Sequence, residues 1–165
     1  MSFRRIRRRN EDEALASIEW TDRLSVGVPL LDADHRLFIE LINALEGNAK
    51  YPGRQFEIAD TLAALDQYAK HHFKREEEVM RACEYPHIER HIEKHKQFID
   101  YLNTIRSNVN KNKDDKIGKD ITEFMKEWLV HHILVEDMEY RPYVENNARA
   151  SAAAQACRPL FFDVL

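Results

Sequence analysis

The stretch YPHIERHIEKH at residues 85–95 indicates both the fold and the chemistry of this chain. Pro86 ends one apolar pattern, because proline cannot continue a helix interior, and a new pattern of helical period begins behind it. In this new helix His91 and His95 are four positions apart, which is about 40° around the helix and roughly 6 Å along it. Two imidazoles at that spacing can reach one metal ion. The stretch therefore predicts a helix that carries part of a metal site.

Three more stretches of helical period surround this one. We predict helices from Asp32 or Asp34 to Glu46, from about Phe56 to Ala82, from 87 to about 108 and from about 116 to 141. An aspartate is expected to cap the first helix and Gly47 to close it. Pro142 is expected to end the fourth helix, which has Leu134 on its inner face. Short connections then predict an all-α fold, an antiparallel up-down-up-down four-helix bundle with an N-terminal arm and a C-terminal helical tail.

Charge and composition divide the chain into a charged arm at 1–17, the bundle at 18–143 and a partly helical tail at 144–165. The chain has 25 basic and 29 acidic residues, a net charge of −4. Five arginines lie in the first ten positions, and without them 20 basic residues face 29 acidic ones, a charge of −9. An acidic body argues against a nucleic-acid-binding domain. The arm is either a solvated tail or a contact for phospholipid or nucleic acid.

Targeting signals are not visible in the sequence. No run of about 18 apolar residues occurs, so no membrane span is expected. The basic start leads into acidic residues rather than an apolar segment, so it does not match a secretory signal. Cys83 and Cys157 are isolated thiols, which is typical of a reducing compartment. We therefore predict a cytoplasmic protein.

Eight histidines are present, and most fall on the predicted inner faces of different helices. Burying five or more in one bundle interior costs about 1 to 3 kcal/mol for each unsatisfied polar group, and a metal centre removes that cost. Imidazole and carboxylate ligands without thiolate suit iron, manganese or zinc. More than about four ligands exceed one tetrahedral zinc site. Two ions that share carboxylates are the arrangement that this ligand set favours.

Two other kinds of metal protein fit less well. A zinc protease has Glu directly after the first histidine of its helical pair, and here Ile92 occupies that position. A ferritin-like site has paired Glu-x-x-His motifs from two helices. The one match, from Glu84 to His87, straddles Pro86.

Four motifs resemble, in order and spacing, those of the hemerythrin family, in particular its bacterial single-domain members. They are VGVPLLDADH at 26–35, HFKREEEVM at 72–80, YPHIERHIEKH at 85–95 and WLVHHILVED at 128–137. The resemblance extends from Trp20 to about Tyr143. It implies two iron ions (Fe2+/Fe3+) with an oxo or hydroxo bridge, for which the metal ligands would be His35, His72, Glu76, His91, His95, His132 and Asp137. Glu76 and Asp137 would be the bridging carboxylates.

One of these assignments conflicts with ideal helix geometry. Asp137 lies five residues after His132, about 140° around a regular helix, whereas Glu136 points more nearly the same way. We follow the resemblance for Asp137 and therefore predict a local widening of the helix, such as a π-type turn. His71, His131 and His87 are predicted not to bind metal.

The resemblance implies reversible dioxygen binding, for storage, delivery or buffering, by a protein that is not an enzyme. Phe73, Trp128, Leu129 and Ile133 are candidates for the wall of the oxygen pocket, although all four would be buried in any bundle. An alternative is a sensor of oxygen, nitric oxide or redox state that acts on a separate protein partner through the arm or tail. A third is an iron-dependent oxidase or peroxidase, for which no base or substrate motif is visible. The expected partner is dioxygen.

Overall fold

A computed structural model of the protein describes residues 17–49, 55–109 and 115–157. Its helices are α1 (Pro29–Ala49), α2 (Gln55–Ala82), α3 (Ile88–Val109), α4 (Asp115–His131), a π-helix (His132–Asp137), α5 (Met138–Val144) and α6 (Ala148–Ala156), preceded by a short 3-10 turn (Asp22–Leu24). The segments α4, π-helix and α5 follow one another without a break, and we call them together the fourth rod. The predicted antiparallel four-helix bundle is confirmed, and the described ranges contain no strand.

The bundle forms because each long helix has one apolar face. The larger part of the core joins these faces along the bundle and includes Phe38, Leu65, Phe98 and Met125, each at most 1% exposed. Polar and charged residues cover the outer faces. Within the described ranges no helix is both long enough and apolar enough to cross a membrane.

A smaller core joins α6 to the bundle. Ala150 and Ala154 of α6 are buried in one cluster with Val79 and Met80 of α2. Their small side chains let the two helices approach closely, and the Asn147 side chain caps α6 by accepting a hydrogen bond from a backbone N–H. The helical part of the predicted tail therefore docks on its own bundle. The apolar end at 160–165 and residues 1–16 of the arm lie outside the described residues.

The predicted ends of the first helix are wrong. α1 begins at Pro29, before either aspartate, because the first helical position needs no N–H donor and suits the fixed φ of proline. Asp32 instead holds the preceding segment, since its Oδ1 accepts from the Val26 N–H at 2.8 Å. Gly47 does not close the helix either. It lies within α1, which continues to Ala49.

The fourth rod also differs from its prediction. It continues through Pro142 to Val144, although the proline removes one backbone hydrogen bond. Tyr140 and Val144 are at most 1% exposed, and their burial compensates for the lost bond. Leu134, expected on the inner face, is 39% exposed because it lies in the π-helix, which turns it outward.

Gly27 shapes the turn that leads into α1. Its φ is +80°, and a Cβ placed there would lie 2.9 Å from Cγ of Glu145. A larger residue would be strained in this conformation and would clash. The turn therefore needs glycine to bring the start of α1 against the end of the fourth rod.

A buried ion pair ties α1 to α4, and it gives a first prediction. Lys126 Nζ lies 2.6 Å from Glu46 Oε2, and the two side chains are 4% and 11% exposed. Lys126→Met should lower the free energy of unfolding by about 3 kcal/mol, because it removes a buried ammonium group that pairs with a buried carboxylate. Chemical denaturation measures this change. The matched control is Lys70→Met, whose ammonium is 53% exposed in its pair with Asp66 and should contribute less than about 1 kcal/mol.

Equal losses of stability in the two variants would contradict the expected role of burial at Lys126.

Candidate metal centre

Seven side chains from α1, α2, α3 and the fourth rod meet in the interior of the bundle. His35 lies on α1, and His72 and Glu76 lie one turn apart on α2. His91 and His95 lie one turn apart on α3, as their spacing predicts. The π-helix supplies its first and last residues. Each of the seven side chains belongs to a residue that is at most 3% exposed, namely His35, His72, Glu76, His91, His95, His132 and Asp137.

Glu76 lies between imidazoles of two helices. Its Oε2 lies 3.0 Å from Nε2 of His95 and 3.4 Å from Nε2 of His91. On the other side the same oxygen lies 3.9 Å from Nε2 of His72. One carboxylate oxygen therefore faces imidazoles from both α2 and α3.

Asp137 has the same role on the opposite side. Its Oδ1 lies 3.2 Å from Nε2 of His132 and 3.4 Å from Nε2 of His91. Its Oδ2 lies 3.4 Å from Nε2 of His35. The two oxygens of one carboxylate thus point to imidazoles from different sides of the bundle.

The ligand-type atoms fall into two groups that share Glu76. One group consists of Glu76 with His91, His95 and His132, and the other of Glu76 with His35 and His72. Within each group the nearest nitrogen and oxygen atoms lie within 4.8 Å of one another. This is the arrangement expected for two metal positions with a common carboxylate.

The π-helix explains how Asp137 reaches the cluster. Backbone hydrogen bonds of a π-helix join residues five apart, which is the spacing between His132 and Asp137. Glu136 instead faces α3, where its Oε1 lies 3.7 Å from Nζ of Lys94. The predicted π-type widening is confirmed, and of the two acids it is Asp137 that turns inward.

Buried polar atoms without partners lie at the middle of the cluster. Among the described residues they include Nε2 of His35 and His91, Oε2 of Glu76 and both carboxylate oxygens of Asp137. Each such atom would cost about 1 to 3 kcal/mol if nothing bound it. Cations placed between these nitrogen and oxygen atoms would remove that cost, so the residues fit a metal centre.

Comparison with known proteins identifies the family. A family model described as the hemerythrin HHE cation binding domain matches residues 26–144. The chain belongs to the hemerythrin family. The resemblance seen in the four sequence motifs is confirmed, and membership supports a di-iron, oxygen-binding protein in general.

Individual hemerythrins match over most of their length. A bacteriohemerythrin of Clostridium acetobutylicum is 28% identical over 124 residues, which cover 73% of this chain and 96% of the relative. A bacteriohemerythrin of Stenotrophomonas maltophilia is 28% identical over 131 residues, or 79% of this chain and 84% of the relative. A crystal structure of wild-type hemerythrin matches with a TM-score of 0.72 and 27% identity, covering 79% of this chain and 99% of that one.

The two carboxylates of the candidate metal centre have opposite electrostatic environments. Burial raises the pKa of Asp137 well above its usual value, and the nearby Glu76 and Glu136 raise it further. Burial opposes ionisation of Glu76 too, but the nearby imidazoles of His72, His91 and His95 hold its pKa well below the usual value. Bound cations would favour the ionised form of both groups.

Burial also keeps two imidazoles neutral. It lowers the pKa of His35 to about 3, and the nearby His72 contributes to this shift. It lowers the pKa of His132 well below the usual value, with a contribution from His95. Metal ions bind the neutral form of imidazole, so these two nitrogens are available without loss of a proton.

Three partners around the candidate metal centre were not predicted from the sequence. His72 Nδ1 lies 3.4 Å from Oδ2 of Asp34, and His95 Nδ1 lies 3.0 Å from Oε1 of Glu77. The Tyr140 hydroxyl donates to Oε1 of Glu76. Such outer contacts orient ligands and select the tautomer that presents Nε2. Asp34 and Glu77 have a local signal, since each adjoins a predicted ligand in the sequence, but all three contacts join different helices.

The predicted pocket-wall residues differ in how close they come to the site. The Phe73 ring stacks on His95 at 3.9 Å, and Trp128 stacks on His132 at 4.5 Å. Leu129 and Ile133 are buried in the core around them. Phe38, which was not predicted, lies with its ring 5.9 Å from that of His72. Its position three residues after His35 is the signal that could have revealed it.

The remaining histidines lie away from the seven residues. The His131 side chain is 65% exposed, and His87 is exposed against the ring of Tyr85. His71 is half-buried, with its Nε2 2.9 Å from Nη2 of Arg75. None of the three belongs to either ligand-type group.

Proposed function

We propose that this protein binds dioxygen reversibly at two iron ions with an oxo or hydroxo bridge, for storage, delivery or buffering. The ions would be held by His35, His72, Glu76, His91, His95, His132 and Asp137. The observation that carries the proposal is the convergence of five buried Nε2 atoms on two buried carboxylates, several of whose atoms have no other partner.

The number of histidines on each side supports a pair of iron ions with unequal protein ligation. The group on one side has three imidazoles, His91, His95 and His132, and the group on the other has two, His35 and His72. The protein would therefore supply one imidazole fewer to the second ion than to the first. The side of His35 and His72 would then be the one on which a small ligand such as dioxygen could bind.

The protein contributes a dry and constrained site. When bound, an iron pair supplies the electrons that reversible dioxygen binding requires. The chain presents neutral imidazoles at His35 and His132 and keeps the two carboxylates apart on different helices. It surrounds them with Phe73, Leu129 and Ile133, which are at most 4% exposed. Excluding water slows side reactions of the bound ligand. We propose that these residues, with Trp128 and Phe38, form the oxygen pocket.

A metal and oxygen-binding measurement tests the proposal. The chain is reconstituted with ferrous iron without oxygen, its iron content per chain is measured, and it is then exposed to air and returned to argon. We expect two irons per chain and a charge-transfer spectrum in air that persists and disappears under argon. The metal-free chain is the control and should give no such spectrum.

Other outcomes would separate the alternatives. Rapid and irreversible conversion to the oxidised spectrum would contradict oxygen storage and support the sensor alternative or an oxidase. A chain that binds no iron would contradict both. A protein partner that contacts the arm or tail stays a prediction, as does the cytoplasmic location, for which the support is that Cys83 and Cys157 are free thiols.

A further inference from the structure

A second buried polar cluster lies beside the candidate metal centre. Asp34 and Arg75 are 6% and 3% exposed, and the Arg75 Nη1 donates to Oδ2 of Asp34. Oδ1 of the same carboxylate accepts from the Tyr68 hydroxyl at 2.8 Å. His72 Nδ1 approaches Oδ2 at 3.4 Å. The Asp34 carboxylate is therefore held by three groups, one of which is a proposed iron ligand.

Packing alone does not account for this cluster. Desolvating two charged groups costs several kcal/mol per ion before their attraction is counted, and apolar residues of similar size often stabilise a core better. The contacts instead suit an orienting role. A carboxylate that accepts from Nδ1–H of His72 selects the tautomer whose Nε2 faces Glu76, and the hydrogen bond from Arg75 holds that carboxylate in place.

The other end of the Arg75 guanidinium reaches the C-terminal helix. Its Nη2 donates to the backbone carbonyl of Cys157 at 3.4 Å, and Cys157 is the residue that follows α6. This helix is docked on α2 through Ala150 and Ala154. A single planar side chain thus contacts both the support of His72 and the end of the docked tail.

We propose that Arg75 is a positioning residue that couples docking of α6 to the orientation of His72 in the metal centre. The inference rests on the proposed function, because it assigns His72 as an iron ligand. Coupling of this kind is reciprocal. Undocking α6 weakens iron retention, and iron at His72 favours the docked helix.

The experiment uses full-length, iron-loaded variants and two measurements. The first is the rate of iron release to a ferrous chelator, and the second is amide hydrogen exchange over residues 148–157. Arg75→Gln removes the contacts of the guanidinium with Asp34 and Cys157, and also its contact with His71. Ala154→Asp places a charge in the α6 contact, where Ala154 is 1% exposed. Its matched control, Ala152→Asp, places the same charge on the exposed face of the same helix.

We expect Arg75→Gln to release iron about 10-fold faster, the lower end of the effect of outer contacts on metal sites, and to speed exchange over 148–157. Ala154→Asp should speed both processes although it touches no proposed ligand, while Ala152→Asp should change neither. The double variant Arg75→Gln/Ala154→Asp should release iron at the rate of Arg75→Gln alone, because both changes break the same connection. Arg75→Lys should retain iron better than Arg75→Gln, since an ammonium can still pair with Asp34.

Three results would overturn the inference. Ala154→Asp could speed exchange of α6 while iron is released at the wild-type rate, which would mean that the tail and the metal centre are independent. Arg75→Gln could release iron at the wild-type rate. The two single changes could multiply in the double variant, which would indicate separate causes. A wild-type chain without iron would instead overturn the proposed function itself.

Discussion

Iron binding is expected to be lost in the variant Glu76→Gln. Oε2 of Glu76 faces imidazoles of both ligand groups, so this carboxylate is the residue that both proposed ions share. Glutamine keeps the shape of the side chain but has one oxygen and no charge, and it therefore cannot bridge two cations. The effect should exceed the roughly 10- to 100-fold loss of affinity that follows removal of an outer contact.

The measurement for Glu76→Gln is iron per chain after reconstitution, together with the thermal midpoint with and without iron. Ligands that bind only the folded state raise its stability, so iron should raise the midpoint of the wild type and leave that of the variant unchanged. The control is Glu78→Gln on the same helix, whose side chain is 47% exposed and pairs with Arg81 at 2.8 Å. A Glu76→Gln chain that retained two irons would contradict the proposed shared role.

The second large effect is expected at the end of the π-helix. Asp137→Asn should release at least one iron, because both oxygens of this buried carboxylate face proposed ligands, namely His35 on one side and His91 and His132 on the other. Glu136→Gln should retain both irons. Glu136 approaches Lys94 at 3.7 Å instead, and that contact is on the outside of the rod.

These adjacent variants remove the same charge one residue apart, so each serves as the control for the other. Iron content and the charge-transfer spectrum distinguish them. The opposite result, iron retained in Asp137→Asn and lost in Glu136→Gln, would mean that the fourth rod is a regular helix when iron is bound.

Local patterns predicted the main elements of this fold because they depend on spacing within one helix. The period of Leu62, Leu65 and Ala69 predicted the buried face of α2, and all three are buried. Helix ends were harder to predict, since they depend on contacts elsewhere. Pro142 removes a backbone hydrogen bond. The helix nevertheless continues past it, because Val144 is buried against residues that are distant in the sequence.

The candidate site shows the same division. The pairs His72–Glu76 and His91–His95 are four residues apart, and the structure brings them together with the other three predicted residues. The contacts of Asp34 with Arg75, and of Tyr140 with Glu76, join residues 41 and 64 positions apart. No local pattern indicates such contacts, because they depend on how whole helices pack.

The π-helix has a consequence that extends beyond Asp137. A single additional residue in a turn shifts the phase of everything that follows by about 100°. The fourth rod therefore consists of two regular helices whose buried faces are rotated relative to each other. One face packs in the core around Met125, and the other packs around Tyr140. Deleting one residue, such as the exposed Val135, would restore a regular α-helix and rotate Tyr140 away from Glu76. The π-helix thus changes which side of the fourth rod is buried, so that one rod contributes to both hydrophobic clusters.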